Sequence, residues 1–573
     1  MKKKHLPTKL VAIFVLVLLV SGCSLLKPYN EPETTNQYQG PSDNNQLDVL
    51  DVPEESNQLY GKNENIPFEE PYAESGAIGA PNFEEERADS YNAQPMDGSE
   101  PQNHIVPIPT QSPYKNPPRD MFFEDYGVNP FIDTEDDHLS TFAADVDTGS
   151  YSIARSYINQ GLLPPEDSVR VEEYINYFPQ GYHLPSSRET FSINIDGAPT
   201  PFTETDRYHV MRVGIQGFDV PENDRKDVAL TFVIDVSGSM GNGNRLEMVQ
   251  DALEMLVDQL GPSDSVGIIA YTDTAWIVLP HTSARYKDEI IDAIYSLYPM
   301  ASTNAEAGLI LGYQEANKAF LARGINRVIL CSDGVANVGN TGPESIWESI
   351  ADYASEGITL TSIGVGMGNY NDILMEQLAD QGNGFYAYID SREEARKLFV
   401  HDLVSTLQVI AFDAKIQVVF NRKVVSRYRL IGFENRAIAD EDFRNNQVDA
   451  AEIGAGHSVT ALYEIKLYPG ARGEIATVQL RWQDPDTFRV EEISKTFDSR
   501  DIENSFRRAD PYFKLNVLVA EFGEILRDSY WAEDTSFQDL LYYADDLPNT
   551  LERAEVYEFI ELLERASRLA YRP

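Results

Sequence analysis

At 573 residues the chain has room for several domains, and 92 acidic against 46 basic residues leave a formal net charge of −46. That balance excludes a nucleic-acid footprint, which needs a basic face, and it disfavours adsorption to anionic lipid. With two cysteines in all, the chain carries no intramolecular disulfide framework.

Residues 1–22 begin with Lys2, Lys3, Lys4 and Lys9, continue through an apolar run over 10–20 and close on small residues before Cys23. The run is shorter than the ~20 residues of a spanning helix, and its basic-then-apolar layout is that of a signal peptide. Val20-Ser21-Gly22-Cys23 resembles a bacterial lipobox. The resemblance implies lipidation at Cys23 and a protein exported and lipid-anchored to a bacterial membrane. Ser24 in place of an aspartate leans towards the outer membrane or cell surface. Residues 23–119 are rich in Asn, Gln, Pro, Glu and Ser with no sustained apolar period, which predicts a disordered acidic tether. A coil of that length spans on the order of 50–60 Å.

Order is expected from about 120. Within 120–190 a strand and turn are read over 141–150, with helices near 152–160 and 169–177; Asp145-Val146-Asp147-Thr148 reads as turn capping. Over 191–227 apolar residues alternate at Phe191, Ile193 and Ile195 and again at Met211, Val213 and Ile215. The same alternation resumes over 409–498, at Ile416 and Val418, at Val459 to Leu467 and at Ala476 to Trp482. Period two means antiparallel strands with one buried face. Two strands are too few for a sheet of their own, so both sets are expected to build one β-sandwich around an insert. Residues 499–573 return to a helical period, with Leu515, Leu518, Phe522 and Ile525 on one face. Asn549 and Glu552 carry the spacing of a capping box ahead of Val556 and Phe559.

The insert, 228–408, alternates apolar strands (230–234, 266–271, 276–279, 328–331, 358–365, 385–388) with helices near 245–260, 287–297, 305–321 and 343–355. Such strands predict a mostly parallel sheet covered on both faces, whose ligands bind beyond the carboxyl ends of the strands. There the first strand runs into Asp235-Val236-Ser237-Gly238-Ser239, the fourth ends before Asp333, and a loop between them carries Thr303. Carboxylate and hydroxyl oxygens suit a small hard cation, above all Mg²⁺, with Mn²⁺ or Ca²⁺ as alternatives. Cys331 reads as an inert buried thiol. The glycines of Gly364-Val365-Gly366-Met367-Gly368 have the wrong spacing for a dinucleotide site, no phosphate-binding loop exists, and the eight histidines show no close zinc-type pair. Nucleotide chemistry and a catalytic zinc are therefore not expected.

The five residues Asp235, Ser237, Ser239, Thr303 and Asp333, in this order, resemble the metal-ion-dependent adhesion site (MIDAS) of von Willebrand factor A (vWA) domains. The flanking regions are similar to the N-terminal segment and the uncharacterised C-terminal region of a group of bacterial vWA lipoproteins. The resemblance implies a vWA Rossmann-like, mostly parallel sheet flanked by helices, inserted in a β-sandwich, with N- and C-terminal helical segments. It implies direct metal binding by Ser237 and Ser239, direct or water-mediated binding by Thr303, and water-holding or direct roles for Asp235 and Asp333. The open metal position favours a protein ligand that offers a carboxylate. The loop before Thr303, Pro299-Met300-Ala301-Ser302, departs from the glycines usual in relatives. The function expected is a non-enzymatic, metal-dependent binding or adhesion module at the cell envelope, without nucleic acid or nucleotide. An envelope scaffold and a vWA subunit working with a separate ATPase are the alternatives.

Overall fold

The computed structural model describes residues 121–570 apart from 187, 204–206, 222–223, 301, 335–341, 355, 368–369 and 449. The leader over 1–22, Cys23 and the tether over 23–119 lie outside the described residues.

The strand Val228–Asp235 is buried along its whole length. A strand apolar on both faces can only sit inside a sheet covered by helices on both sides, and here it lies in the middle of six strands. It pairs in parallel with Ser265–Tyr271 on one side and with Ile325–Ser332 on the other. Thr359–Val365 and Tyr386–Ile389 extend the parallel set, and Ala275–Ser283 closes the opposite edge as an antiparallel strand. The chain thus moves outward on one side of Val228–Asp235 and then returns to build the other side. This creates a topological switch point at its carboxyl end.

Helices Arg245–Gln259 and Lys287–Tyr295 cover one face with Leu246, Val249, Leu253, Leu256, Ile290 and Ile294. Ala305–Lys318, Pro343–Ala354 and Asp372–Gln381 cover the other. The apolar spacing of Asp372–Gln381 did not stand out in the sequence, because its buried face includes Asp372 and Glu376 as well as Leu374, Met375 and Leu378.

Two further five-stranded sheets form the sandwich. Phe191–Pro199 pairs with Tyr208–Gly217, which pairs with Ser458–Leu467 in a register that matches Gln216 with Ser458 and Val213 with Ala461. Strands from before and after the α/β insert are therefore neighbours in one sheet. The facing sheet is built on Val409–Phe420, flanked by Glu474–Gln483 and by the early strand Leu139–Ala143. The alternating residues meet in one core that includes Phe191, Met211, Val213, Ile416, Val418, Val459, Leu480 and Trp482.

Helices Gly149–Asn159 and Val171–Tyr177 join the C-terminal helices Pro511–Leu526, Phe537–Ala544 and Ala554–Ala570 in a separate apolar cluster on the outer side of the sheet. Gly149–Asn159 works as a wedge. Tyr151, Ala154 and Ile158 face that cluster, whereas Ile153 and Tyr157 pack on the α/β insert. The expected capping box at Asn549 and Glu552 is not formed. Pro548 sits second in a five-residue helix, Leu547–Leu551, and Glu552 ends it with a φ of 48°. The capping box of this region is Ser536 with Asp539.

Candidate metal centre

Asp235 is the last residue of its strand, and Asp333 directly follows the neighbouring strand Ile325–Ser332. Both carboxylates are fully buried at the switch point. Asp235 Oδ1 accepts the Ser237 backbone N–H at 2.8 Å, an Asx turn that folds the chain back over the strand end. Ser237 is buried, and its hydroxyl lies 2.9 Å from that of Ser239. The second oxygen of Asp235 accepts from the Ser332 hydroxyl at 2.9 Å, and Ser332 Oγ in turn accepts the Gly334 N–H at 3.0 Å. One short network thus links the ends of the two central strands.

Three loops are stitched together beneath these side chains by backbone hydrogen bonds. Val236 donates to the Tyr271 carbonyl at 3.1 Å, Met300 to the Val236 carbonyl at 2.7 Å, and Asn304 to the Thr272 carbonyl at 2.6 Å. Gly238 is required at this seam, since a Cβ there would lie 2.9 Å from the Met300 carbonyl oxygen. Thr303 is buried on the third loop, but among the described residues its side chain makes no hydrogen bond to the other four. Ser302, just before it, has a φ of 34°, a left-handed conformation that glycine adopts more easily. The absence of glycines from this loop therefore appears as local backbone strain.

Sequence reasoning missed two residues here. Ser332 was visible in Ser332-Asp333-Gly334, but its bond to Asp235 depends on strand pairing. Arg245 lies at the start of the following helix, and its Nη1 donates to Asp333 Oδ2 at 2.6 Å with both side chains buried. It also donates to the Met367 carbonyl. Its being the first basic residue after Asp235 was the one available clue.

Burial, followed by the neighbouring Asp333 carboxylate, pushes Asp235 up to about 7. Two buried carboxylates this close favour a cation between or beside them, and Arg245 supplies part of that charge. The donor set is two carboxylates and three hydroxyls, rich in neutral oxygen and free of nitrogen and sulfur. Among the described residues no group of three or more His, Cys, Asp or Glu side chains is placed to hold a metal. Carboxylate and hydroxyl oxygens of this kind suit a hard divalent ion. Cys331, behind Ser332, is buried, which pushes its thiol well above the usual range.

Other acids and glycines take structural roles. Asp145 Oδ1 accepts the Asp147 N–H at 2.7 Å, the turn capping expected. Both acids also pair with Arg436, at 2.9 and 3.3 Å, and Arg436 reaches Glu376 and Asp380 at 3.1 and 2.6 Å. Asp264 is a buried clamp that pairs with Arg225 at 2.5 Å and accepts the Val228 and Gly261 N–H groups. Gly366 turns the chain after Thr359–Val365 with a φ of 87°, and Arg245 packs against it.

Comparison with known proteins agrees with this architecture. Residues 229–405 match the von Willebrand factor type A domain, 117–210 match a von Willebrand factor family and 405–569 match the C-terminal region of the uncharacterized protein YfbK. YfbK of Escherichia coli (strain K12) is 36% identical over 474 residues, covering 78% of this chain and 80% of YfbK. Among solved structures, a von Willebrand factor type A protein from Catenulispora acidiphila is 16% identical with a TM-score of 0.40, covering 68% of this chain and 91% of its own. Proximal thread matrix protein 1 from the mussel byssus, with a zinc-occupied MIDAS motif, is 21% identical with a TM-score of 0.27, covering 33% of this chain and 48% of its own. The chain belongs to the family of vWA domain proteins represented by YfbK, complete with that family's C-terminal region.

Proposed function

We propose that this protein is a metal-dependent protein-binding module of the bacterial cell envelope, held to a membrane through a lipid on Cys23. The observation that carries the reading is the group of oxygens at the switch point. The Ser237 and Ser239 hydroxyls lie 2.9 Å apart just after the buried Asp235, with Asp333 directly after the adjoining strand and Thr303 on a loop stitched to the same turn. Asp235, Ser237, Ser239, Thr303 and Asp333 would hold Mg²⁺, with Mn²⁺ or Ca²⁺ as alternatives. The bound ion would supply a Lewis-acidic site for a carboxylate of a protein partner.

The residues of the chain define how that site behaves. The Asx turn at Asp235 folds the chain back at the strand end, where the two serine hydroxyls lie 2.9 Å apart. Arg245 neutralises one of the two carboxylates, so fewer full negative charges face the ion and its attraction for a partner's carboxylate is preserved. The net charge of −46 keeps the molecule dispersed and repels acidic surfaces in general, so recognition would rest on a local contact.

Isothermal titration of the full chain with Mg²⁺ and Mn²⁺ tests the site. Saturable heat in the wild type and its loss in Asp235→Ala are expected; equal heat in both rejects the assignment. Capture of an envelope partner that disappears in EDTA supports the adhesion reading, whereas metal-independent capture favours a scaffold.

A further inference from the structure

The sheet of the α/β insert has a second end, opposite the candidate metal centre. There a cavity of about 1040 Å³ separates the base of the sheet from the hairpin that joins Glu474–Gln483 to Val490–Asp498. Phe320, Trp347, Phe412, Phe488 and Val490 give it apolar walls. Its size is in the range of small-molecule sites.

Arg327, near the start of Ile325–Ser332, lines this cavity and is 1% exposed. Its Nε donates to Thr359 Oγ1 at 3.0 Å, and its Nη1 donates to Thr361 Oγ1 at 3.1 Å and to the Thr406 carbonyl. All three acceptors are neutral. Among the described residues Nη2 has no hydrogen-bond partner, and no carboxylate lies within ion-pair distance of the guanidinium.

The contrast with the other buried arginines is informative. Arg155, Arg170, Arg212, Arg245, Arg429 and Arg481 each have a carboxylate within 4.0 Å. The acids around the cavity do not fill the gap: Glu356 is exposed and, among the described residues, makes no ion pair with Arg327. Asp486 is paired with Lys226 at 2.5 Å, and Asp413 with Lys415 at 2.9 Å and Arg481 at 3.5 Å. Glu452 acts on Arg327 only from beyond ion-pair range and has an interaction of its own. Burial lowers the Arg327 guanidinium to about 10, against a weaker opposing pull from Glu452. A buried charge without a counter-ion is expensive, and a guanidinium edge matches a carboxylate closely.

We propose that this cavity binds a carboxylate carried on an aromatic or aliphatic group, with Arg327 as the anion anchor and the Phe488 wall holding the apolar part. The site is independent of the metal centre, since it lies at the other end of the sheet and uses none of the same residues. Free organic acids and peptide carboxyl termini share this chemistry, so the probes are 3-phenylpropanoate and the peptide Ac-Ala-Ala-Phe with a free carboxyl end.

Titration of the full chain in EDTA, read by calorimetry and by saturation-transfer NMR, tests the proposal. At least one acid is expected to bind in the millimolar range or tighter; the better probe names the source. Its carboxamide analogue and Arg327→Gln should each lower affinity at least about tenfold, the effect of removing a charge-assisted hydrogen-bonded pair. Asp235→Ala should bind as the wild type does. Because Arg327 also ties three elements together, Arg327→Gln is checked by its thermal melt. If it does not fold, Phe488→Ala, whose side chain is 66% exposed, replaces it and is expected to weaken binding several-fold. No binding of either acid, equal binding of acid and amide, or unchanged affinity in the folded Arg327→Gln or the Phe488→Ala variant overturns the site.

Discussion

Replacing Arg436 should destabilise the whole folded unit in a way that depends on pH. Arg436 comes from the turn Glu434–Arg436 of the sandwich. It meets Asp145 and Asp147 of the N-terminal segment and Glu376 and Asp380 of the α/β insert. One cation from the sandwich thus holds four acids from two other parts of the chain. Removing one partner of a buried ion pair costs about 3–5 kcal/mol, because the remaining charge stays buried. For a cooperative unit of this size, 1 kcal/mol corresponds to about 1 °C, so Arg436→Met should melt about 3–5 °C lower at pH 8.

The sign of the pH effect follows from the acids left behind. Burial already pushes Glu376 up to about 7 and Asp147 well above its usual range, while Arg436 pulls both down. Without the guanidinium their native-state values rise further. Groups with raised native values favour folding while protonated and lose that contribution as pH rises through those values. The deficit of Arg436→Met should therefore be small near pH 5 and largest at pH 8. Calorimetry across that range, with limited proteolysis around residues 145–149, measures it. A melting temperature equal to the wild type at pH 8, or a deficit that grows as pH falls, would refute the reasoning.

Four further outcomes are expected. Arg245→Gln removes the guanidinium beside Asp333 and should tighten Mn²⁺ binding about tenfold by taking away a competing charge, as measured by titration; weaker binding would show that Arg245 positions Asp333 instead. Burial pushes Glu521 up to about 8 from an unfolded value near 4.5, so its share of stability is present below about pH 4.5 and fades as pH rises through 8. Glu521→Gln should remove that slope in pH-dependent melts, by up to a few kcal/mol. Gly384→Ala would force a Cβ into the Leu360 carbonyl oxygen and should prevent a wild-type melt altogether. Ser302→Gly should relieve the left-handed strain next to Thr303 and stabilise the chain by about 1 kcal/mol in denaturant titrations.

The legible parts of the fold were those whose signal is local. Val228–Asp235 and Ile325–Ser332 announce themselves as apolar runs, and the two-residue alternation at Met211, Val213 and Ile215 carries its buried face openly. The composite sandwich could be inferred because two strands alone cannot be stable. The candidate site residues could be picked out only as oxygen-bearing types at or near strand ends. Partners fixed by tertiary approach could not. Arg245, Ser332 and Arg436 are ordinary polar residues until strand pairing and domain packing bring carboxylates to them. The helix Asp372–Gln381 was hidden because its buried face includes acids that meet Arg170 and Arg436. Asn549 and Glu552 had the right spacing for a cap, but Pro548 set the local backbone first.

The pairing of Tyr208–Gly217 with Ser458–Leu467 has a consequence in time. The Gln216–Ser458 match joins residues about 240 positions apart. At roughly 5–20 residues per second, a nascent chain would wait on the order of 10–50 s between making the first strand and making its partner. Throughout that interval the hairpin Phe191–Pro199 with Tyr208–Gly217 presents an open edge carrying Met211, Val213 and Ile215, while the α/β insert is free to fold first. Synthesis of this protein therefore includes a built-in delay during which a half-made sheet needs protection from other strands, and its yield will depend on how that delay is managed.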